Sequence, residues 1–450
     1  MRFYIRRTAF FLESFALSCF LLLTCLTAPP AALSAPPEES VTLDELIDEG
    51  LRNSPEILAA GSRADAAVYR IPQAKSLPDP MFMFGYQNEG FDRFTLGSAG
   101  ASNSQGMTNL SQMFYFPGKR ALKGESATRD AESLAALAEA ARHRVVAQIK
   151  TIFYDLFLAY KTIDILEERT ALFSKIEDAA QSRYASGTGT QQEVIMAQTE
   201  KYVILEKEEV QRSRIQALQG ALNATVGREA DAPLGRPALP APTPFPATLQ
   251  ETIDRAKEHS PELRSRQKMV EGAQAKANLA KKEYYPDVTV GASWFPRTGG
   301  FVDMWNLTFT VNLPIFYKTK QQQAVGEAQA EYLEAKRELA ATELLLASNV
   351  RGSFSVVGAA DRLMNLYKEG LIPKANQDVQ LAFSSYVTGR IDALTAITRI
   401  KDLLDYDLLY WNQRVEREKA MAKLHALMGT EGMVQSSAEV AKHDARGEAQ

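Results

Sequence analysis

The segment Leu43-Asp-Glu-Leu-Ile-Asp-Glu-Gly-Leu-Arg-Asn-Ser-Pro-Glu56 recurs as Leu249-Gln-Glu-Thr-Ile-Asp-Arg-Ala-Lys-Glu-His-Ser-Pro-Glu262, with seven of fourteen positions identical at an offset of 206. A duplication constrains the fold more than any other feature, because both copies must build the same supersecondary unit. The register persists, slipped by two, from Pro78-Asp79 to Pro286-Asp287. It then runs at an offset of 202 from Tyr184-Ala-Ser-Gly187 to Tyr386-Val-Thr-Gly389, and from Leu222-Asn-Ala-Thr-Val-Gly227 to Leu424-His-Ala-Leu-Met-Gly429. Two repeats, 43–229 and 249–429, are therefore expected, joined by a proline-rich linker at 230–248.

Each repeat reads the same way. A helix of roughly thirty residues comes first, Leu43 to Lys75 and Leu249 to Glu283. Two strands follow, at 79–88 and 107–116 in the first repeat and at 287–296 and 305–315 in the second. A very long helix (120–186, 319–386) then reaches a glycine turn (187–189, 387–391). A shorter helix closes each repeat on a C-capping glycine, Gly227 or Gly429. The polar tail 430–450 is expected to lie outside the fold.

The long helices set a scale. Arg120 to Ser186 is 67 residues without proline, and Thr319 to Tyr386 is 68 with one, Pro373, which is expected to kink it. At 1.5 Å per residue each is about 100 Å long, far beyond a globular-domain helix. Thr190 to Asn223 and Leu249 to Glu283, at 34 and 35 residues, together match one long helix. Two half-length helices placed end to end are thus expected beside a continuous one, with the linker midway.

The strands point to a membrane. Trp305 to Leu313 alternates strictly, Leu307, Phe309, Val311 and Leu313 against Asn306, Thr308, Thr310 and Asn312. At about nine to eleven residues these strands have the length of tilted barrel strands. Four strands cannot close a barrel, and lipid tolerates no open sheet edge, so a membrane-embedded sheet requires several chains.

The N-terminus reads as an export signal over 1–34: basic Arg2, Arg6 and Arg7, an apolar core from Phe15 to Thr27, and a small-x-small site at Ala32-Leu33-Ser34. Both cysteines, Cys19 and Cys25, lie inside it. Cys25 sits in a poor lipobox, because Thr24 replaces the small residue, so the expectation is a cleaved chain without lipid or disulfide.

Little suggests catalysis. The net charge of −4 leaves no nucleic-acid footprint. The four histidines have no ligand spacing, and P-loop, GxSxG, GxGxxG and CxxC motifs are absent. Met81, Met83, Met107 and Met113 are soft-ligand types, but at strand spacing they are expected to be apolar barrel or interface positions. No cofactor, metal or catalytic residue is assigned, and an enzyme is not expected. A periplasmic adaptor or coiled-coil scaffold is the alternative, although adaptors have a single hairpin flanked by other domains.

The repeat resembles the TolC-like outer-membrane efflux family. The resemblance rests on Leu110-Ser-Gln-Met-Phe-Tyr-Phe-Pro-Gly-Lys-Arg120, its counterpart Val311-Asn-Leu-Pro-Ile-Phe316, the Tyr-x-x-Gly turns and the Leu-x-Ala-x-x-Gly helix ends. The Gln112 to Arg120 stretch is most similar to the heavy-metal (CzcC- and CusC-like) branch, but lacks a further proline common there at Phe114 or Tyr115. The resemblance implies a homotrimer with a twelve-stranded barrel in the outer membrane of a Gram-negative bacterium and an α-helical tunnel through the periplasm. It implies passive conduction of substrate handed on by a periplasmic adaptor (membrane fusion protein) and an inner-membrane efflux pump.

By motif position, Ser186, Gly187, Thr188, Thr388, Gly389 and Arg390 are the implied adaptor contacts at the tip. Asp392 matches the first aspartate of the family's constriction, whereas Thr395 stands at its second acidic position. Glu193 holds the comparable place in the first repeat. Asp392 and Thr190 are equally the residue types that cap the helices behind them.

Overall fold

The computed structural model describes residues 40–87, 105–245, 248–297 and 302–429. The expected signal segment 1–34 and the tail 430–450 lie outside the described residues. In the first repeat the elements are α1 (Leu43–Asn53), α2 (Pro55–Lys75), β1 (Met81–Gln87), β2 (Gln105–Phe114), α3 (Lys119–Ala185) and α4 (Gln191–Val226). The second repeat gives α5 (Leu249–His259), α6 (Pro261–Lys282), β3 (Val288–Phe295), β4 (Met304–Val311), α7 (Gln321–Asn365), a π-helical turn (Leu366–Leu371), α8 (Ile372–Val387) and α9 (Ala393–Met428).

The two copies agree to the residue over most of their length. α3 has 67 residues, and α7, the π turn and α8 run continuously through 45, 6 and 16, again 67. α4 and α9 have 36 each, and α1 and α5 have 11 each. Caps repeat as well. Thr42 and Thr248 accept from the backbone N–H three residues on, and Thr42 forms a full capping box with Glu45.

The opening helix of each repeat is not continuous, contrary to the sequence expectation. It breaks at Ser54 and at Ser260, where the following prolines, Pro55 and Pro261, start a new helix. Proline at the first helical position has no N–H to lose and disfavours helical geometry in the residue before it. Pro373 is accommodated by a defined device in a helix that runs on through it. The helix widens into the π turn just ahead of it, where the missing N–H would otherwise break the ladder.

α3 is the spine. Its first half packs between α2 and α6, and its second half between α4 and α9. Arg144 to Glu56, Ser133 to Ser265 and Arg264 to Glu139 mark the upper contacts. Lys201 to Glu177 and Arg169 to Asp407 mark the lower ones. α4, with 36 residues, and α6, with 22, thus share one long partner; the expected half-length helix 249–283 does so through α6, while α5 packs chiefly on α7 and α9. Three apolar clusters fill the bundle. One lies low around Phe173, Ile176 and Ile400; one lies midway around Ile149, Phe153 and Leu222; one joins α5, α7 and α9 around Val350 and Leu424.

The four strands form one antiparallel sheet in chain order, β1-β2-β3-β4. Registers run Phe82 opposite Leu110, Leu110 opposite Ala292, and Ala292 opposite Leu307. One face therefore carries Phe82, Phe84, Leu110, Trp294, Trp305 and Phe309, and the other Asn109, Ser111, Ser293, Asn306 and Thr308. Asn109 donates to Ser293 Oγ at 2.6 Å on that polar face. Sheet and bundle are tied by Lys119. Its buried ammonium donates to Glu283, to the Tyr285 carbonyl and to Asp287 at 2.9–3.1 Å. Asp287 in turn accepts from the Phe116 N–H at 2.8 Å.

Candidate functional site

Both glycine turns lie at the end of the bundle away from the sheet, since α3 and the α7–α8 helix each run the full length before turning. Each turn crosses at a glycine with φ of 75°, Gly187 and Gly389, in the left-handed region that costs glycine nothing. The turns close on backbone bonds of the same pattern. Thr188 N–H reaches the Arg183 carbonyl at 2.9 Å, and Arg390 N–H the Ser385 carbonyl at 2.8 Å. The next helices are capped by Thr190 and Asp392, whose side chains accept from Glu193 N–H and Thr395 N–H.

The turns are held together by residues just behind them. Tyr386 is fully buried, and its hydroxyl donates to Glu193 Oε2 at 2.8 Å. Arg183 donates to the Tyr386 carbonyl at 2.7 Å and to the Thr188 carbonyl at 3.1 Å. Its guanidinium also lies 5.0 Å from the Tyr386 ring centroid, and Nε is 3.8 Å from Glu193. Burial, and secondly the bond to Glu193, hold the Tyr386 phenol well above its ordinary pKa, so it remains a donor at any physiological pH.

This interlock belongs to one side of the pseudo-symmetry. Across the 202 offset, Arg183 corresponds to Ser385, Glu193 to Thr395, and buried Tyr386 to Tyr184, which is exposed. Beside it, the first turns of α4 and α9 form a groove of about 350 Å³ lined by Ile195, Met196, Thr199, Leu394 and Ile397. Ile195 and Leu394 are each more than half exposed there.

Such a duplicated layout, with two sheet hairpins at one end and two glycine turns at the other, is matched by the model of the outer membrane efflux protein family. The match covers 46–227 and 252–430, both repeats almost entirely.

The chain belongs to the outer membrane efflux protein family.

Among its relatives, this family member is 23% identical to the nickel-cobalt-cadmium resistance protein NccC of Alcaligenes xylosoxydans xylosoxydans over 353 residues, 76% of this chain and 75% of NccC. Its fold is shared with several solved outer-membrane proteins. It superposes on VceC of Vibrio cholerae with a TM-score of 0.75 at 20% identity, over 86% of this chain and 96% of VceC. It superposes on CusC with a TM-score of 0.74 at 14% identity, over 86% and 92%.

Within this efflux-family fold, Ser186, Gly187, Thr188, Thr388, Gly389 and Arg390 all lie exposed on the two turns. Asp392 is exposed, but its carboxylate is engaged as a helix cap, and bonds to Thr395 hold its pKa below the usual value. Glu193 is held by Tyr386 and Arg183 rather than standing free. Arg183 and the Tyr386–Glu193 bond were missed by sequence reasoning. The available signal was the loss of symmetry at positions 183 and 193, in repeats otherwise matched in length.

Among the described residues no three His, Cys, Asp or Glu side chains converge as a metal site, and no helix is long and apolar enough to cross a membrane. Met81, Met83, Met107 and Met113 share the polar face of the sheet rather than the apolar one. The reason is strand parity. They occupy odd positions, whereas Phe82, Phe84, Leu110 and Phe114 occupy even ones.

Proposed function

We propose that this chain is one subunit of a homotrimeric channel that conducts substrate across the outer membrane and the periplasm, taking it from a periplasmic adaptor and an inner-membrane pump. The observation that carries the reading is the open sheet. Among the described residues β1 and β4 each pair on one side only, and the apolar face exposes Phe82, Phe84, Trp305 and Phe309 at 66–79%. In lipid the two free edges must pair, and pairing β4 of one chain with β1 of the next does so without a new element. Eight residues of strand measure about 26 Å, and at a barrel tilt of about 40° they rise about 20 Å, most of the roughly 25 Å apolar band.

The same operation carries the helices into a tunnel of about 100 Å, below a barrel whose polar face lines water. The six exposed turn residues, with the apolar groove beside Ile195 and Leu394, are proposed to meet the adaptor. Three Asp392 carboxylates near the tip are proposed to form a thin acidic ring. The likeness to NccC favours a metal ion as cargo. No group of the chain is assigned a bond-making role, since passage is passive.

The test is the mass of the detergent-solubilised protein by light scattering, after inner and outer membranes are separated. A species of three chains in the outer-membrane fraction is expected. A soluble monomer would remove the shared barrel, and with it the channel.

A further inference from the structure

All five methionines of the described strands sit on one face. Met81 and Met83 of β1, Met107 and Met113 of β2, and Met304 of β4 share the side of Asn109, Ser293 and Thr308. None shares the side of Phe82, Leu110, Trp294 and Phe309. This segregation runs against hydrophobic sense. Met81 is 63% and Met83 48% exposed, so each keeps about half or more of its surface open. A barrel needing only bulk would place methionine among the phenylalanines and leave the polar face to threonine and asparagine.

The register also pairs them. Met83 faces Asn109, which makes Met107 its diagonal neighbour, and Met81 faces Ser111, which makes Met113 its diagonal neighbour. Diagonal positions are about 7–8 Å apart across a strand pair, within reach of two long side chains closing on one atom. Gly85 supports one of these pairs. A Cβ there would stand 3.0 Å from the Met107 methyl carbon, so the missing side chain lets Met107 lie over β1, the strand that holds Met81 and Met83.

We propose that the pairs Met83/Met107 and Met81/Met113 are thioether sites for soft monovalent metal ions, of the copper(I) and silver(I) class, in transit along the barrel lumen. Neutral thioether sulfur is selective for soft ions and discriminates against calcium, magnesium and zinc, which prefer oxygen, nitrogen or thiolate. Two-coordinate binding between two sulfurs is a geometry these ions accept. A neutral, exposed pair binds weakly enough to release its ion, as conduction through successive sites requires. The lumen assignment rests on the channel reading above; the sulfur pairs do not.

Silver(I) nitrate in chloride-free buffer is the probe, since silver needs no reductant. The purified detergent-solubilised protein is dialysed against it, and bound silver is counted by mass spectrometry beside a variant with Met81, Met83, Met107 and Met113 all changed to Leu. Leucine keeps volume and apolarity, and light scattering checks that the variant assembles as the wild type does. The wild type is expected to hold about two more silver ions per chain than the variant, with sulfur neighbours in X-ray absorption, and affinity in the variant is expected to fall at least about tenfold. A trimer that binds no more silver than its leucine variant overturns the sites and leaves the channel standing. A monomer that binds silver through sulfur overturns the transit role together with the channel reading.

Discussion

Gly227, which caps the C-terminus of the first repeat's closing helix, rests against the carbonyl of Asn53, so closely that a Cβ at Gly227 would stand 2.5 Å from that oxygen. Gly429 repeats the contact with the His259 carbonyl, at 2.8 Å. Both glycines have positive φ, 90° and 65°. The carbonyls they touch belong to the residues just before the Ser54-Pro55 and Ser260-Pro261 breaks, so helix end and helix break form one joint, made twice.

Gly227→Ala is therefore expected to destabilise the protein by about 2–4 kcal/mol, combining left-handed strain with a backbone collision. Gly61→Ala and Gly326→Ala, where an added Cβ meets nothing within 4 Å, are expected to be neutral or stabilising by up to about 1 kcal/mol. Thermal melting of the detergent-solubilised oligomer separates the two outcomes.

Tyr386→Phe removes the hydroxyl bound to Glu193 and leaves that carboxylate with Arg183 alone, at 3.8 Å. A loss of about 1–2 kcal/mol is expected locally, raising amide exchange at Thr188 and Arg390 by roughly tenfold. Unchanged exchange at both turns would show that the interlock does not hold them.

Lys119→Met leaves Asp287 buried without its cation. A cost of about 3–5 kcal/mol is expected, read as loss of the heat-resistant oligomer. The α4–α9 tip should keep its exchange protection, because it lies at the far end of the bundle.

Burial, and to a lesser extent Lys150, lower the His425 pKa to about 4, against 6.5 for a free imidazole. The unfolded chain then binds the extra proton first as pH falls. Stability supported by neutral His425 is complete above about pH 6.5 and is lost progressively down to about pH 4, by at most about 3 kcal/mol. His425→Gln should flatten that part of the melting-temperature profile.

Asp392→Asn keeps a side chain able to cap α9 and removes only its charge. Single-channel recordings should show a weaker cation preference with an unchanged melting temperature. An identical preference would exclude Asp392 from ion selection.

Much of this was readable because duplication prints its own ruler. Helix ends marked by Thr42, Thr190, Gly227 and their partners follow from local capping chemistry, and strict alternation placed the start of β4 to within a residue, although the strand ends at Val311, four residues short of the expected 315. What escaped depended on partners far away in the chain. Tyr386 and Glu193 are 193 residues apart, and no local pattern announces their bond. The Ser-Pro breaks were written in the sequence, yet each opening segment was expected as one helix of roughly thirty residues. The methionine face needed strand parity compared across β1 and β2, and β2 begins at Gln105 and Gly106, which carry no hydrophobic signal for a strand end.

Equal length in the two long helices has a consequence for how such a chain can change size. Three residues inserted into α3 alone would lower its turn by about 4.5 Å relative to the turn after α8, leaving the rim uneven. Growth or shortening stays level only when it occurs in both copies, and in α4 and α9 with them. Lineages that reach across a wider or narrower gap are thus expected to gain or lose residues in fours: four matched edits, one in each ascending and each descending helix.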